Sequence, residues 1–82
     1  MRLDKFLKVS RLIKRRTVAQ AACEGGSVVV NGKVQKSAYP VKIGDEITIA
    51  FGKQPLSVRV LTLRDAVKKE EADDMYEVID TR

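Results

Sequence analysis

Seven basic side chains fall within the first 16 residues of this 82-residue sequence: Arg2, Lys5, Lys8, Arg11, Lys14, Arg15 and Arg16. Side chains of this kind bind anions. A guanidinium offers a planar fork that grips a phosphate through two bonds and can stack on a base, whereas an ammonium adds mainly a point charge. Arginine is therefore the residue type suited to direct contact, and lysine adds mainly diffuse attraction. Asp4 and Glu24 are the only acids before residue 25, so this is not the mixed-sign surface of an ordinary solvated helix. Lys33 and Lys36 could extend a basic footprint further along the chain. Thr17, followed three places later by Gln20, has the T-x-x-Q form of a capping box. As an N-cap it would open a helix whose free N–H groups favour an anion.

Each of these residues also has a plainer use. Arg16 could pair with Glu24, and Asp4 could accept from Arg2, Arg11 or a backbone N–H at a helix start. Thr17 is first of all a cap. Asn31, Gly32, Gly44 and Asp45 read as turn residues, Cys23 as a small core residue and Tyr76 as packing for the tail. With no His and one Cys, a Ser-His-Asp triad, a His metal site, a thiolate cluster and an internal disulfide are excluded. No cofactor, metal or catalytic residue is expected, and the chain reads as a binding protein rather than an enzyme.

The net charge of +5 is unevenly spread. Residues 1–24 carry +5, residues 25–63 carry +3, and residues 64–82 carry −3. A small basic chain of this kind suggests a polyanionic partner, and the acidic end is a poor candidate for touching phosphate. Aromatics are only 5% and Trp is absent, so stacking cannot dominate. The start contains no apolar run of the length a signal peptide needs, and a cytoplasmic location is expected.

The elements that must position these charges follow from the hydrophobic spacing. Leu3, Phe6 and Leu7 form the stripe of a short helix with Arg2, Lys5 and Lys8 opposite. A bent connector should plug Leu12 and Ile13 into the core. A second helix should run from Thr17 to Gly25-Gly26, with Val18 and Ala22 buried. The period then changes to strands: Ser27–Val30, an Asn31-Gly32 hairpin turn, Lys33–Lys36, Glu46–Phe51 and Leu56–Leu63. A short helix is expected over about 70–79. The fold class is thus α+β, with two short N-terminal helices packed on a small antiparallel or mixed sheet of four to five strands and a short C-terminal helix or tail. Residues 1–64 form the expected domain, and 65–82 an acidic helix or tail packed on it or flanking it.

The run Arg2-Leu3-Asp4-Lys5-Phe6-Leu7, with Ser10-Arg11, Arg15-Arg16-Thr17, Ala19, Gly26, Val28, Val30-Asn31-Gly32-Lys33, Val41-Lys42 and Gly44-Asp45, closely resembles the RNA-binding domain first described in small-subunit ribosomal protein S-four. The match covers residues 1 to about 51. It is specific because many positions agree at once in order and spacing. Among stand-alone members, the tail Arg64-Asp65-Ala66, Lys69-Glu70-Glu71-Ala72 and Met75-Tyr76-Glu77 is most similar to the bacterial ribosome-associated quality control proteins of the RqcP kind. These are related to the fifteen-kilodalton heat-shock protein, which has a longer basic extension.

The resemblance implies an RNA surface on the two helices and the adjoining hairpin, where Arg2, Arg11 and Arg16 match motif positions and are the candidates for direct contact. On the charge reading Lys5, Lys8, Lys14 and Arg15 add diffuse attraction, Thr17 could take a phosphate oxygen at the helix start, and Lys33 and Lys36 could extend the footprint. It implies binding to large ribosomal subunits obstructed by peptidyl-tRNA, with rRNA and tRNA as partners, and support of RqcH in alanine tailing of stalled chains. A monomer off the ribosome and no membrane partner are expected. The competing expectations are a heat-shock-type recycling factor and a basic protein–protein module masked by its own acidic tail.

Overall fold

The computed structural model describes residues 1–50 and 55–79. Helix α1, Leu3–Val9, forms where the apolar spacing predicts it. Leu3, Phe6 and Leu7 lie wholly buried on one face, and Lys8 is exposed on the other. The chain enters α1 as an extended segment bridged to Pro40. There the Val41 N–H donates to the Met1 carbonyl at 2.8 Å, and the Leu3 N–H donates to the Tyr39 carbonyl at 2.9 Å. Beyond the helix, Arg11 takes a left-handed conformation with φ 63°. The Ile13 N–H then donates to the Leu7 carbonyl at 3.1 Å, and Ile13 enters the core as expected, with Leu12 packed at its edge.

Helix α2, Arg16–Glu24, begins one residue before Thr17, and its N-cap is Arg15 in an extended conformation. The Thr17–Gln20 capping box does not form; Thr17 and Gln20 are exposed inside the helix. The buried face is Ala19, Ala22 and Cys23, an i, i+3, i+4 set. That frame leaves Val18 on the flank, 45% exposed, where burial was expected. The small residues on this face let α2 lie close against α1. The helix ends as the glycine pair predicts. Gly26 has φ 82°, its N–H donates to Cys23 and the Ser27 N–H donates to Ala22, which is the doubly bonded Schellman closure.

Five strands make one antiparallel sheet in the order β2-β1-β3-β4-β5. They are β1 Val28–Val30, β2 Lys33–Val34, β3 Glu46–Ile49, β4 Leu56–Val60 and β5 Tyr76–Val78. Asn31 (φ 52°) and Gly32 (φ 85°) form the hairpin turn between β1 and β2, with both central residues at the positive φ that this turn demands. Val28, Val30, Ile47, Ile49, Val58 and Val60 point into one core with the α1 stripe. On the opposite face, the Thr48 and Ser57 hydroxyls meet at 2.8 Å, and Arg59 lies between Glu46 and Glu77. The expected Phe51 strand end and the loop through Gly52, Lys53 and Gln54 lie outside the described residues, as do Asp80 and Arg82.

The C-terminal segment differs from the expectation of a helix over 70–79. A 3₁₀ helix spans Lys69–Met75, and Tyr76–Val78 is the edge strand β5, paired with β4. Ala72 and Met75 are buried, so the helical spacing located two core contacts correctly. Tyr76 and Ile79, which completed that spacing, instead belong to or follow an extended segment. Pairing with the open edge of β4 gives this backbone partners that an isolated short helix would lack.

Phe6→Ala should cost about 3–5 kcal/mol and Met75→Ala about 2–5 kcal/mol. Both would be read from urea unfolding. A Met75→Ala midpoint equal to wild type would mean that the C-terminal segment is not part of the cooperative fold.

Candidate nucleic-acid interface

At the heart of the basic face is a carboxylate. Asp4, in the first turn of α1, is 1% exposed. Its Oδ1 accepts from Arg2 Nε at 3.1 Å and from the Lys5 backbone N–H at 2.8 Å. Its Oδ2 accepts from Arg2 Nη2 at 3.3 Å and from Arg16 Nε at 3.5 Å. Two arginines on different elements, one just before α1 and one opening α2, are thus brought to one anchor. Their side chains remain about half exposed, at 48% and 50%. Arg16 meets Asp4 through Nε, which leaves both of its terminal nitrogens to face solvent or a phosphate. Burial pushes the Asp4 carboxyl up, but the Arg2 hydrogen bond, the charges of Arg16 and Arg2, and the Lys5 N–H outweigh it. Together they hold the group below its ordinary value of 3.8.

The other acid of this region is used differently. Glu24 accepts from the Ser37 N–H and hydroxyl, each at 2.9 Å, and does not pair with Arg16. Those two bonds lead the causes that hold its carboxyl below the usual range. Lys36 is turned onto the end of α2, where its Nζ donates to the Glu24 carbonyl at 3.1 Å. The hairpin is fastened in turn by Asp45, which accepts from Asn31 Nδ2 at 3.0 Å and from the Lys42 N–H at 2.9 Å. The Glu46 N–H donates to Asn31 Oδ1 at 3.0 Å. Asn31 is therefore a clamp as well as a turn residue.

The remaining cations divide into groups. Lys5 is half-buried and pairs with Asp65 at 3.0 Å. Lys8, Arg11, Lys14 and Arg15 have no carboxylate partner among the described residues. Three of these, Lys8, Arg11 and Lys14, line a depression of about 480 Å³ together with Lys69. Lys33 sits exposed on the edge strand β2, and no hydrogen bond among the described residues ties it to either group. Thr17 is the second residue of α2 and exposed. The first N–H groups of α2 have no protein acceptor among the described residues, so the helix start faces outward as the capping argument requires, though shifted to Arg16. Lys69 is the residue that sequence reasoning missed, because the net negative charge of residues 64–82 conceals it. Cys23 is fully buried, and burial, with Asp4 and Glu24 nearby, pushes its thiol up to about 11. It is a packing residue.

A small α+β fold that gathers arginines on paired N-terminal helices defines an RNA-binding class, and residues 1–47 match the S4 domain. The chain is 55% identical over 78 residues to the RQC P-site tRNA stabilizing factor of Halalkalibacterium halodurans, covering 95% of this chain and 89% of that protein. It is 52% identical over 79 residues to the protein of the same name from Bacillus subtilis, covering 96% and 92%. A trimeric structure of Vibrio cholerae heat shock protein 15 superposes with a TM-score of 0.90 at 32% identity, over 96% of this chain and 81% of that one. The chain belongs to the S4-domain family, and within it to the RQC P-site tRNA stabilizing factors.

An ionised Asp4 stabilises the fold above the ordinary carboxylate value and loses that contribution as pH falls from about 4 through the lowered folded value. Asp4→Asn should cost about 1–3 kcal/mol at neutral pH. Its stability should also decline less steeply than wild type on acidification, with the residual slope coming from Glu24. Urea unfolding followed from about pH 6 to about pH 2 reads this directly. Parallel wild-type and variant profiles would mean that Asp4 is not the ionised anchor.

Proposed function

We propose that this protein is a non-catalytic RNA-binding factor of ribosome-associated quality control. On this reading it binds large ribosomal subunits obstructed by peptidyl-tRNA, contacts rRNA and tRNA together, and steadies the tRNA while RqcH extends the stalled chain with alanine. It acts in the cytoplasm and is a monomer off the ribosome. The observation that carries the reading is the half-exposed Arg2–Asp4–Arg16 cluster on an S4 fold, beside Lys8, Arg11, Lys14 and Arg15, which lack carboxylate partners among the described residues. The names borne by relatives of nearly the same length support the P-site tRNA as the target.

The contact residues of this reading are Arg2, Arg11 and Arg16, with Lys5, Lys8, Lys14, Arg15, Lys33 and Lys36 adding attraction and Thr17 lying beside the open N–H groups of α2. The Asp4 anchor supports it physically. A guanidinium held through Nε has already lost much of its rotamer freedom, so less is left to lose when a phosphate arrives. A protein–protein module masked by its acidic tail is less well supported. Glu71 and Glu77 pair with Arg64 and Arg59, and of the described tail acids only Asp65 reaches the basic helices, at Lys5.

Tagged protein recovered from cells with stalled translation should bring down large subunits with peptidyl-tRNA and without small subunits, together with RqcH. Arg16→Ala should lower stability only modestly, by about 1 kcal/mol, because Arg2 and the Lys5 N–H still bond the buried Asp4 carboxylate. It should nevertheless reduce co-sedimentation with large subunits. Replacing Arg2, Arg11 and Arg16 together should flatten the slope of log K against log[salt] by about two to three units. A steep slope that survived the triple change would move the RNA site elsewhere.

A further inference from the structure

The C-terminal segment is acidic in sum, yet the residue it brings to the depression beside α1 is a lysine. Among its acids, Asp65 meets Lys5, Glu71 meets Arg64 and accepts from the Lys68 N–H, and Glu77 meets Arg59. None of them lines the depression shared by Lys8, Arg11, Lys14 and Lys69. These four cations have no carboxylate partner among the described residues. Like charges converging on one concavity repel each other, and an anion entering it relieves that repulsion.

Two further features bear on the same place. Arg11 holds φ 63°, a conformation that glycine adopts without strain and a long side chain does not. A guanidinium at the depression is what the strained residue supplies and glycine would not. Lys69, in turn, is fixed by the fold. It opens the 3₁₀ helix whose Ala72 and Met75 are buried. The Met75 carbonyl accepts from the Leu61 N–H at 2.9 Å, and Tyr76 pairs with Val60. All of this lies beyond the residues that match the S4 domain.

We propose that Lys69 completes, with Lys8, Arg11 and Lys14, a site for a backbone phosphate of RNA, so that the C-terminal segment is part of the RNA footprint. This rests on the RNA-binding reading above. It makes the docking of the tail a condition for full affinity and assigns an RNA contact to the part of the chain with the least favourable net charge.

The test is co-sedimentation with isolated large ribosomal subunits across a potassium chloride series. The variants are Lys69→Met, which keeps the stem and removes the charge, Lys69→Arg, Lys68→Ala and Arg16→Ala. Lys69→Met should weaken binding about fivefold at ~0.1 M salt and reduce the slope by about 0.7–0.9, the share of one phosphate. Lys69→Arg should restore both, Lys68→Ala should change neither, and the melts of the three lysine variants should overlay wild type. Equal effects of Lys68→Ala and Lys69→Met would mean diffuse attraction and would overturn the site. So would normal binding by Lys69→Met while Arg16→Ala loses affinity, an outcome that leaves the proposed function standing. Normal binding by both Lys69→Met and Arg16→Ala would remove the functional reading and the site together. A lowered melt for Lys69→Met with normal binding would make Lys69 a structural residue and overturn the site.

Discussion

The buried carboxylate of Asp4 is the interaction on which the basic face depends. A charge so nearly removed from water is tolerable only if its lone pairs are filled. Here they are filled by the Lys5 N–H and by two guanidinium groups that lie on different elements. One requirement therefore performs three tasks. It satisfies an N–H in the first turn of α1, joins that turn to the start of α2, and orients two arginines whose side chains remain about half exposed. Without a carboxylate at this point, Arg2 and Arg16 would repel one another, and the helix pair would lose its polar tie.

The rest of the domain holds that arrangement from behind. The α1 stripe and the small residues of α2 close on a sheet whose inner face is almost entirely β-branched. The segment around residues 36–41 serves both sides. Its carbonyls accept from the first N–H groups of α1, and Ser37 engages Glu24 at the end of α2. Both helices are thus located by the same loop. That loop is in turn fastened to the β1–β2 hairpin, because Asp45 takes bonds from Asn31 and, at 3.4 Å, from the Tyr39 hydroxyl. The cationic surface is soft and mutually repulsive. The network beneath it has no buried side-chain nitrogen or oxygen left unpaired among the described residues.

Much of this was legible in the sequence, for local reasons. The Leu3, Phe6, Leu7 stripe, the Asn31-Gly32 turn and the Gly25-Gly26 stop each depend on a few neighbouring residues whose types leave little choice of conformation. The basic run was legible as a site because its acids are so few. The errors came where tertiary contacts overrode local chemistry. Thr17 has the right side chain for an N-cap, but Arg16, which pairs with Asp4, sits in the first helical position, and the N-cap falls on Arg15, two residues earlier. Val18 leaves the core for the same reason. The spacing of Ala72, Met75, Tyr76 and Ile79 suits a helix taken alone, yet the free edge of β4 is a stronger partner for that backbone. Lys69 was invisible because nothing local reveals that a tail of opposite net charge will present a cation to the depression beside α1.

The two ends of the sheet have a consequence of another kind. A strand edge is an open row of donors and acceptors, and long apolar edges recruit further strands into aggregates. Here β2 has two residues and β5 has three. Lys33 sits on one and Glu77 on the other, and Glu77 is already held across the sheet by Arg59 at 3.0 Å. Neither rim offers more than a turn's length of ladder to an incoming chain, and each places a charge in its path. Val34 and Val78 can therefore remain exposed on these strands without becoming templates for amyloid-like growth, even where many copies are crowded together.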